Sequence, residues 1–258
     1  GAIRIEVEPE LFTVRFVGFP GGTNFVEPVY VPEEARDGAS WVDPGGLVTD
    51  LVPLEARDAA LRRGPAEVVE QSAHRVLLLG PPSPQLGVRL KKEIVLAEAA
   101  PQATFTVTAL SDKAGNGDQA LRFALRNTAR LPVRSTLRIN KDDGEFRVLS
   151  GAESIFPAVV KSARYWLVPI PPTQPTKRVV LGAFVPQATI QGRDGWWTRQ
   201  LCSMPADAKD TSNESTLLCL LDDATHSYGA ALQGGRDELH AGAPLVLREQ
   251  WSFDKRGH

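Results

Sequence analysis

Short β-type runs follow one another along almost the whole chain, and they leave room for few architectures. The clearest are IRIEVE, LFTVRFVG, RVLLLG, LGVRLKKEIVL, TFTVTAL, LRFALRN, VRSTLRIN, RYWLVPI, KRVVLGAF, STLLCLLD and APLVLREQWSF. They are rich in Val, Leu, Thr and aromatic residues, and Gly, Pro, Asn or Asp bound them. One helix is predicted, over VPLEARDAALRRG, with Pro53 at a first helical position, Glu55 in the first turn and Gly64 at the exit. Parallel βαβ units would need a helix after most strands, so the pattern predicts an all-β, antiparallel sandwich or barrel. No period of roughly 20 to 50 residues repeats, which argues against a propeller or solenoid. The Pro-rich PIPPTQPTKR reads as a stiff loop, because strands of similar character flank it. Residues 1–258 are therefore read as a single domain.

Composition narrows the function classes. Apolar residues make up 42% and charged residues 23%, the balance of a globular chain able to bury a core. A formal net charge of −2 gives no basic character to attract nucleic acid. No apolar run approaches the ~20 residues of a membrane-spanning helix. Gly1 stands where a start Met would, which suits a processed, periplasmic or secreted protein as well as a trimmed one. Cys202 and Cys219 are compatible with one disulfide or with two buried thiols. Neither C-x-x-C nor H-E-x-x-H spacing occurs, so no metal site and no cofactor are expected. Phosphate-binding glycine loops and the G-x-S-x-G elbow are also missing.

Period-two reading assigns faces. In LGVRLKKEIVL, Leu86, Val88, Leu90, Ile94 and Leu96 face one way, and Arg89, Lys91 and Glu93 the other. Arg122 and Arg126 oppose Phe123 and Leu125; Arg134 and Arg138 oppose Leu137 and Ile139. If these strands are neighbours, one sheet presents a face laced with cations. That face is either solvated or a groove for a polyhydroxylated or anionic ligand gripped by Arg122 and Arg138. In ELHAGAPLVLREQWSF the apolar side holds Leu245, Leu247, Trp251 and Phe253, with Glu249 at its centre. A carboxylate there is either a buried group paired with an Arg of a neighbouring strand or a residue at a cleft floor.

Candidate chemistry is sparse. His226, in LLDDATHSYG, lies at a strand end beside Asp222 and Asp223, where an imidazole could act as general acid or base. With Glu249 it forms the candidate catalytic pair. His74 begins an apolar strand and is read as structural. Of the adjacent Trp196 and Trp197, one must face away from the core, and exposed Trp stacks well on sugar rings. Trp41, Trp197 and Trp251 are the candidate ligand platforms.

Several of these stretches, in order, resemble the galactose-mutarotase (aldose-epimerase) type of β-supersandwich. FVGFPGGTNFVEP resembles its early turn with a Gly pair and then an Asn. RRGPAEVVEQSAHRVLLLGPPSPQLGVRLKKEIVL resembles its succession of two strands, and FALRNTARLPV its Asn-Thr turn followed by Pro. ELHAGAPLVLREQWSF resembles its closing strand. The likeness is greatest to a bacterial domain-of-unknown-function family on that fold. It implies an antiparallel supersandwich with a concave cleft, and the function expected in that cleft is carbohydrate recognition, accessory to polysaccharide use. The aligned Arg89, Arg122, Arg126, Arg134 and Arg138, where they face a ligand, add a preference for acidic sugars. The alternatives are a sugar-active enzyme, epimerase or lyase-type, and an assembly module with a filled cleft. Members of the aldose-epimerase family carry a Glu base shortly before the closing turn; here no Glu appears until Glu238, at the turn itself. Acceleration of glucose or galactose anomerisation is therefore not expected.

Overall fold

The computed structural model describes residues 2–27, 45–52, 65–83, 87–111, 122–132, 136–141, 144–149, 165–169, 178–183, 187–202, 216–222, 227–234, 237–238 and 244–256. In chain order the strands are β1 (Arg4–Glu8), β2 (Thr13–Gly18), β3 (Leu47–Val52), β4 (Glu67–Gln71), β5 (Arg75–Leu79) and β6 (Val88–Leu96). There follow β7 (Gln102–Ser111), β8 (Arg122–Leu131), β9 (Thr136–Lys141), β10 (Gly144–Leu149), β11 (Tyr165–Pro169) and β12 (Arg178–Ala183). The series ends with β13 (Gln187–Gln191), β14 (Gly195–Leu201), β15 (Thr216–Asp222), β16 (Ser227–Gln233), β17 (Asp237–Glu238) and β18 (Leu245–Lys255). Val52, the first residue of the predicted helix, ends β3, and residues 53–64 lie outside the described residues; the Pro-rich stretch joins β11 to β12, and its residues 170–177 lie outside them too.

These strands form two antiparallel sheets. Sheet A runs β1-β2-β3-β8-β16-β15-β12-β11, with β17 pairing β8 alongside. Sheet B runs β10-β9-β13-β14-β18-β7-β6-β5-β4. The inward side of each strand follows from its alternation. On β18, Leu245, Leu247, Glu249, Trp251 and Phe253 are buried, while Val246, Arg248, Gln250 and Ser252 are half-buried on the other side. Trp251 stacks on Phe105 of β7 at 4.9 Å, and Trp197 meets it edge-on at 5.1 Å. Gly195 makes the β14–β18 contact possible, since a Cβ there would stand 2.2 Å from the Asp254 carbonyl.

The two sheets treat their outward sides differently. Sheet B shows water a half-exposed face that includes Thr104, Thr106, Thr198, Gln250 and Ser252. Sheet A is buried on both sides at its centre. Leu47, Leu51, Leu125, Ala129 and Leu232 belong to the core between the sheets, whereas Val48, Ala124, Thr128 and Ala231 are equally buried but lie outside that core.

Two expectations are corrected here, and of the two fates left open for the cysteines one is taken. The arginines do not form one stripe: Arg89 on β6 and Arg138 on β9 lie in sheet B with four strands between them, Arg122 and Arg126 lie on β8 in sheet A, and Arg134 lies outside the described residues. Alternation had fixed the side of each strand but not its sheet. Asn127 and Thr128 are not in a turn; β8 runs through them to Leu131, and Pro132 follows the strand. Cys202 is a free, half-buried thiol, which removes the disulfide.

Candidate functional site

The carboxylate of Glu249 sits between the sheets in a closed set of partners. Arg199 of β14 grips it twice, Nε to Oε2 at 2.9 Å and Nη2 to Oε1 at 2.8 Å. Asn127 Nδ2 donates to Oε1 at 2.9 Å, and Trp251 Nε1 to Oε2 at 2.8 Å. Arg199 also donates from Nη1 to the Ala230 carbonyl at 2.8 Å and from Nη2 to the Asn127 carbonyl at 2.9 Å. Thr49 Oγ1 completes the set by donating to Asn127 Oδ1 at 2.8 Å. Both charged groups are 0% exposed, and each has the hydrogen bonds that make a buried charge tolerable. Of the two readings of Glu249, the buried pair with an Arg of a neighbouring strand is the one found. At 0% exposure and with all of these partners inside the protein, this carboxylate is not on a cleft floor, which corrects the open placement expected for a catalytic acid or base.

A second charged pair lies on the other side of the same two strands. In a strand, adjacent residues point to opposite faces. Thr49 and Asn127 are opposed in register between β3 and β8, and so are Asp50 and Arg126. The first couple faces the core; the second faces away from it. Arg126 Nη2 meets Asp50 Oδ2 at 3.2 Å, with side-chain exposures of 15% and 1%. Gln233 of β16 is opposite Arg126 on its other flank and is half-buried. Ala124, Thr128 and Ala231 surround this row with small side chains. A nearly buried carboxylate, a guanidinium that is 15% exposed, a half-buried amide and small buried neighbours form a compact polar row on the outward side of sheet A.

The other predicted residues fall elsewhere. Trp197 and Trp251 are both 0% exposed, packed against each other and against Phe253 and Phe105. No ring face is open for stacking, so their expected ligand role is corrected. The half-exposed member of the tryptophan pair is Trp196, with the Arg256 guanidinium 6.0 Å from its ring. Register decides this, since Trp197 lies opposite Phe253, an inward position. Arg122 and Arg138 occupy strand positions in different sheets; Arg122 is opposite Glu238 in register. Trp41 and His226 lie outside the described residues. His74 is exposed, not structural; it lies at the rim of an open groove of about 300 Å³ floored by Ile5, Val7, Val76 and Ile94.

Two residues were passed over in the sequence. Lys92 falls on the inward side of β6 and is 2% exposed. Its Nζ donates to the Phe12 carbonyl and lies 4.0 Å from the centre of the Phe12 ring. Asp194 accepts from Thr23 N at 2.5 Å and Thr23 Oγ1 at 2.6 Å, tying the Gly-Gly-Thr-Asn turn to the β13–β14 hairpin. Those two bonds, the side-chain one first, hold the Asp194 carboxyl below its ordinary range, helped by Arg193 and Lys255 and opposed by desolvation. Asn24 accepts from Val17 N and donates to the Arg15 carbonyl, so the Asn of that motif serves the turn. Among the described residues, no group of His, Cys, Asp and Glu could hold a metal ion. No helix among them is long and apolar enough to cross a membrane.

Comparison of folds now becomes decisive. A galactose mutarotase-like protein from Lactobacillus casei superimposes with a TM-score of 0.56 at 11% identity, covering 98% of this chain and 97% of the other. The chain has a galactose-mutarotase-like fold. A galactose mutarotase related enzyme from Lactobacillus acidophilus gives 0.55 at 7% identity over 98% of this chain and 94% of its own. The Slr1438 protein of Synechocystis gives 0.56 at 12% over 98% and 92%. No protein-family model and no curated protein sequence matches the chain. At such identities the likeness concerns the mutarotase-like backbone and leaves the activity open.

Proposed function

We propose that the chain binds a neutral sugar on the face of sheet A that carries Asp50 and Arg126. The supporting observation is that pair itself: a 1%-exposed carboxylate joined to a 15%-exposed guanidinium, outside the core, on a floor of small residues. A guanidinium donates to neighbouring hydroxyls and a side-chain amide both donates and accepts, so Arg126 and Gln233 together suit a vicinal diol. Asp50 fixes the fork of Arg126, and Arg126 with Gln233 offers the reachable edge. The mutarotase-like fold, whose solved examples bear the names of sugar-handling proteins, supports the ligand class.

Charge argues for a neutral ligand over the acidic one first expected. Arg126 is paired with Asp50 across the ladder. An anionic ligand would have to displace that carboxylate or lie beside it. Titration calorimetry with a panel of neutral and acidic mono- and oligosaccharides tests the reading. Neutral sugars should bind, and Asp50→Asn should weaken binding by roughly ten- to a hundredfold, the scale of one or two charge-assisted hydrogen bonds. Absence of any sugar binding, or affinity unaffected by Asp50→Asn and Arg126→Ala, would reject it.

A further inference from the structure

The buried network and the outer pair share a backbone. Thr49 and Asp50 are consecutive on β3, and Arg126 and Asn127 are consecutive on β8. Arg199 reaches across from sheet B to two carbonyls of sheet A, those of Asn127 and Ala230. These carbonyls precede Thr128 and Ala231, which are register partners on the outer face. The guanidinium thereby sets the spacing of β8 and β16 directly beneath the row of Asp50, Arg126 and Gln233. Asn127 carries the same constraint to β3 through Thr49.

From this we infer that Arg199 and Glu249 are positioning residues for the Asp50–Arg126 site, acting through Asn127 and the backbone of β8 and β16. The inference rests on the sugar-binding reading for its functional consequence, but its geometric content stands apart from any ligand. A buried ion pair is a poor way to stabilise a core, because desolvating both charges offsets most of their attraction. It is a good way to fix a register, since a bidentate fork bonded to named carbonyls admits one arrangement. Burial of apolar side chains is non-directional, whereas the fork is directional.

The test compares Arg199→Met, Glu249→Leu, the double variant and Thr49→Val in the full chain. Two readouts are taken: melting temperature, and the side-chain NH resonances of Arg126 in heteronuclear NMR. Affinity for the best neutral sugar of the panel is a third. Each single variant leaves one charge buried alone, so stability should fall, and the double variant should regain part of it. The Arg126 resonances should stay displaced in the double variant, and sugar affinity should remain weakened by roughly tenfold. A purely structural role predicts the opposite: signals and affinity recover together with stability. That recovery, or Arg126 resonances identical to those of the unaltered chain in the double variant, would overturn the inference. If the variants at 199 and 249 do not fold, Thr49→Val decides, since it removes only the bond to Asn127 and keeps the side-chain shape. An Arg126 signal unmoved by it is refutation. If the signals move while no sugar binds even the unaltered chain, the positioning stands and the sugar reading falls.

Discussion

Arg199–Glu249 and Asp50–Arg126 stand back to back across the same strands, yet they are built on different terms. The inner pair is bidentate, 0% exposed on both sides, and completed by an indole, an amide and two backbone carbonyls. The outer pair meets at 3.2 Å, and its guanidinium still reaches solvent. Enclosure, more than charge, separates a structural group from one able to meet a ligand. Glu249 lies at the centre of the apolar side of β18 and is 0% exposed. Arg126 is 15% exposed.

The largest effect should come from breaking the inner pair halfway. Arg199→Met or Glu249→Leu alone should cost about 3–5 kcal/mol of unfolding free energy by denaturant titration, because a lone charge stays in the core. A loss below about 1 kcal/mol would mean water reaches the pair and the contrast is overstated. Next comes Asp50→Asn, which should cost about 1–3 kcal/mol, the range for a disrupted buried hydrogen-bonding group, while abolishing most sugar binding. If stability falls with affinity untouched, the outer pair is structural as well and the comparison collapses.

Sheet B supplies the control. Thr106→Val on its half-exposed outer face should change stability by no more than about 0.5 kcal/mol and leave binding alone. Any loss of sugar affinity there would move the site to the wrong sheet. The smallest effect concerns Asp194. Its folded pKa lies below the ordinary value of 3.8, so its contribution is present above that value and fades as pH falls through the lower, folded one. At neutral pH the unaltered chain should melt slightly above Asp194→Asn, and the gap should close in acid. A gap that widens in acid would reverse the sign and refute the Thr23 clamp.

Much of this was legible beforehand. Alternation gave the strands, the inward side of β18 and the choice between two fates for Glu249. It could not name Arg199 as the partner, because fifty positions separate them and only β14–β18 pairing joins them. The same blindness to pairing invented the arginine stripe. Trp197 was misplaced for a subtler reason: WW fits either parity, and Phe253 across the ladder chooses. Lys92 was overlooked because a cation on an apolar side reads as noise until its carbonyl partner at Phe12 is known. Asp50 carried no signal at all, being one acidic residue in a short strand.

Consider, finally, where β18 sits. It is the last of the described strands, yet it lies inside sheet B, between β14 and β7, with Ser252 opposite Gln102 and Phe253 opposite Trp197. Until it docks, that sheet is two separate ribbons, and Arg199 has no counter-charge. Contacts of such sequence separation form slowly, because a long loop must close before any is made. Time therefore enters the architecture. The strand that completes the charge network also joins the two ribbons, so the ion pair and the closing of sheet B depend on the same docking event.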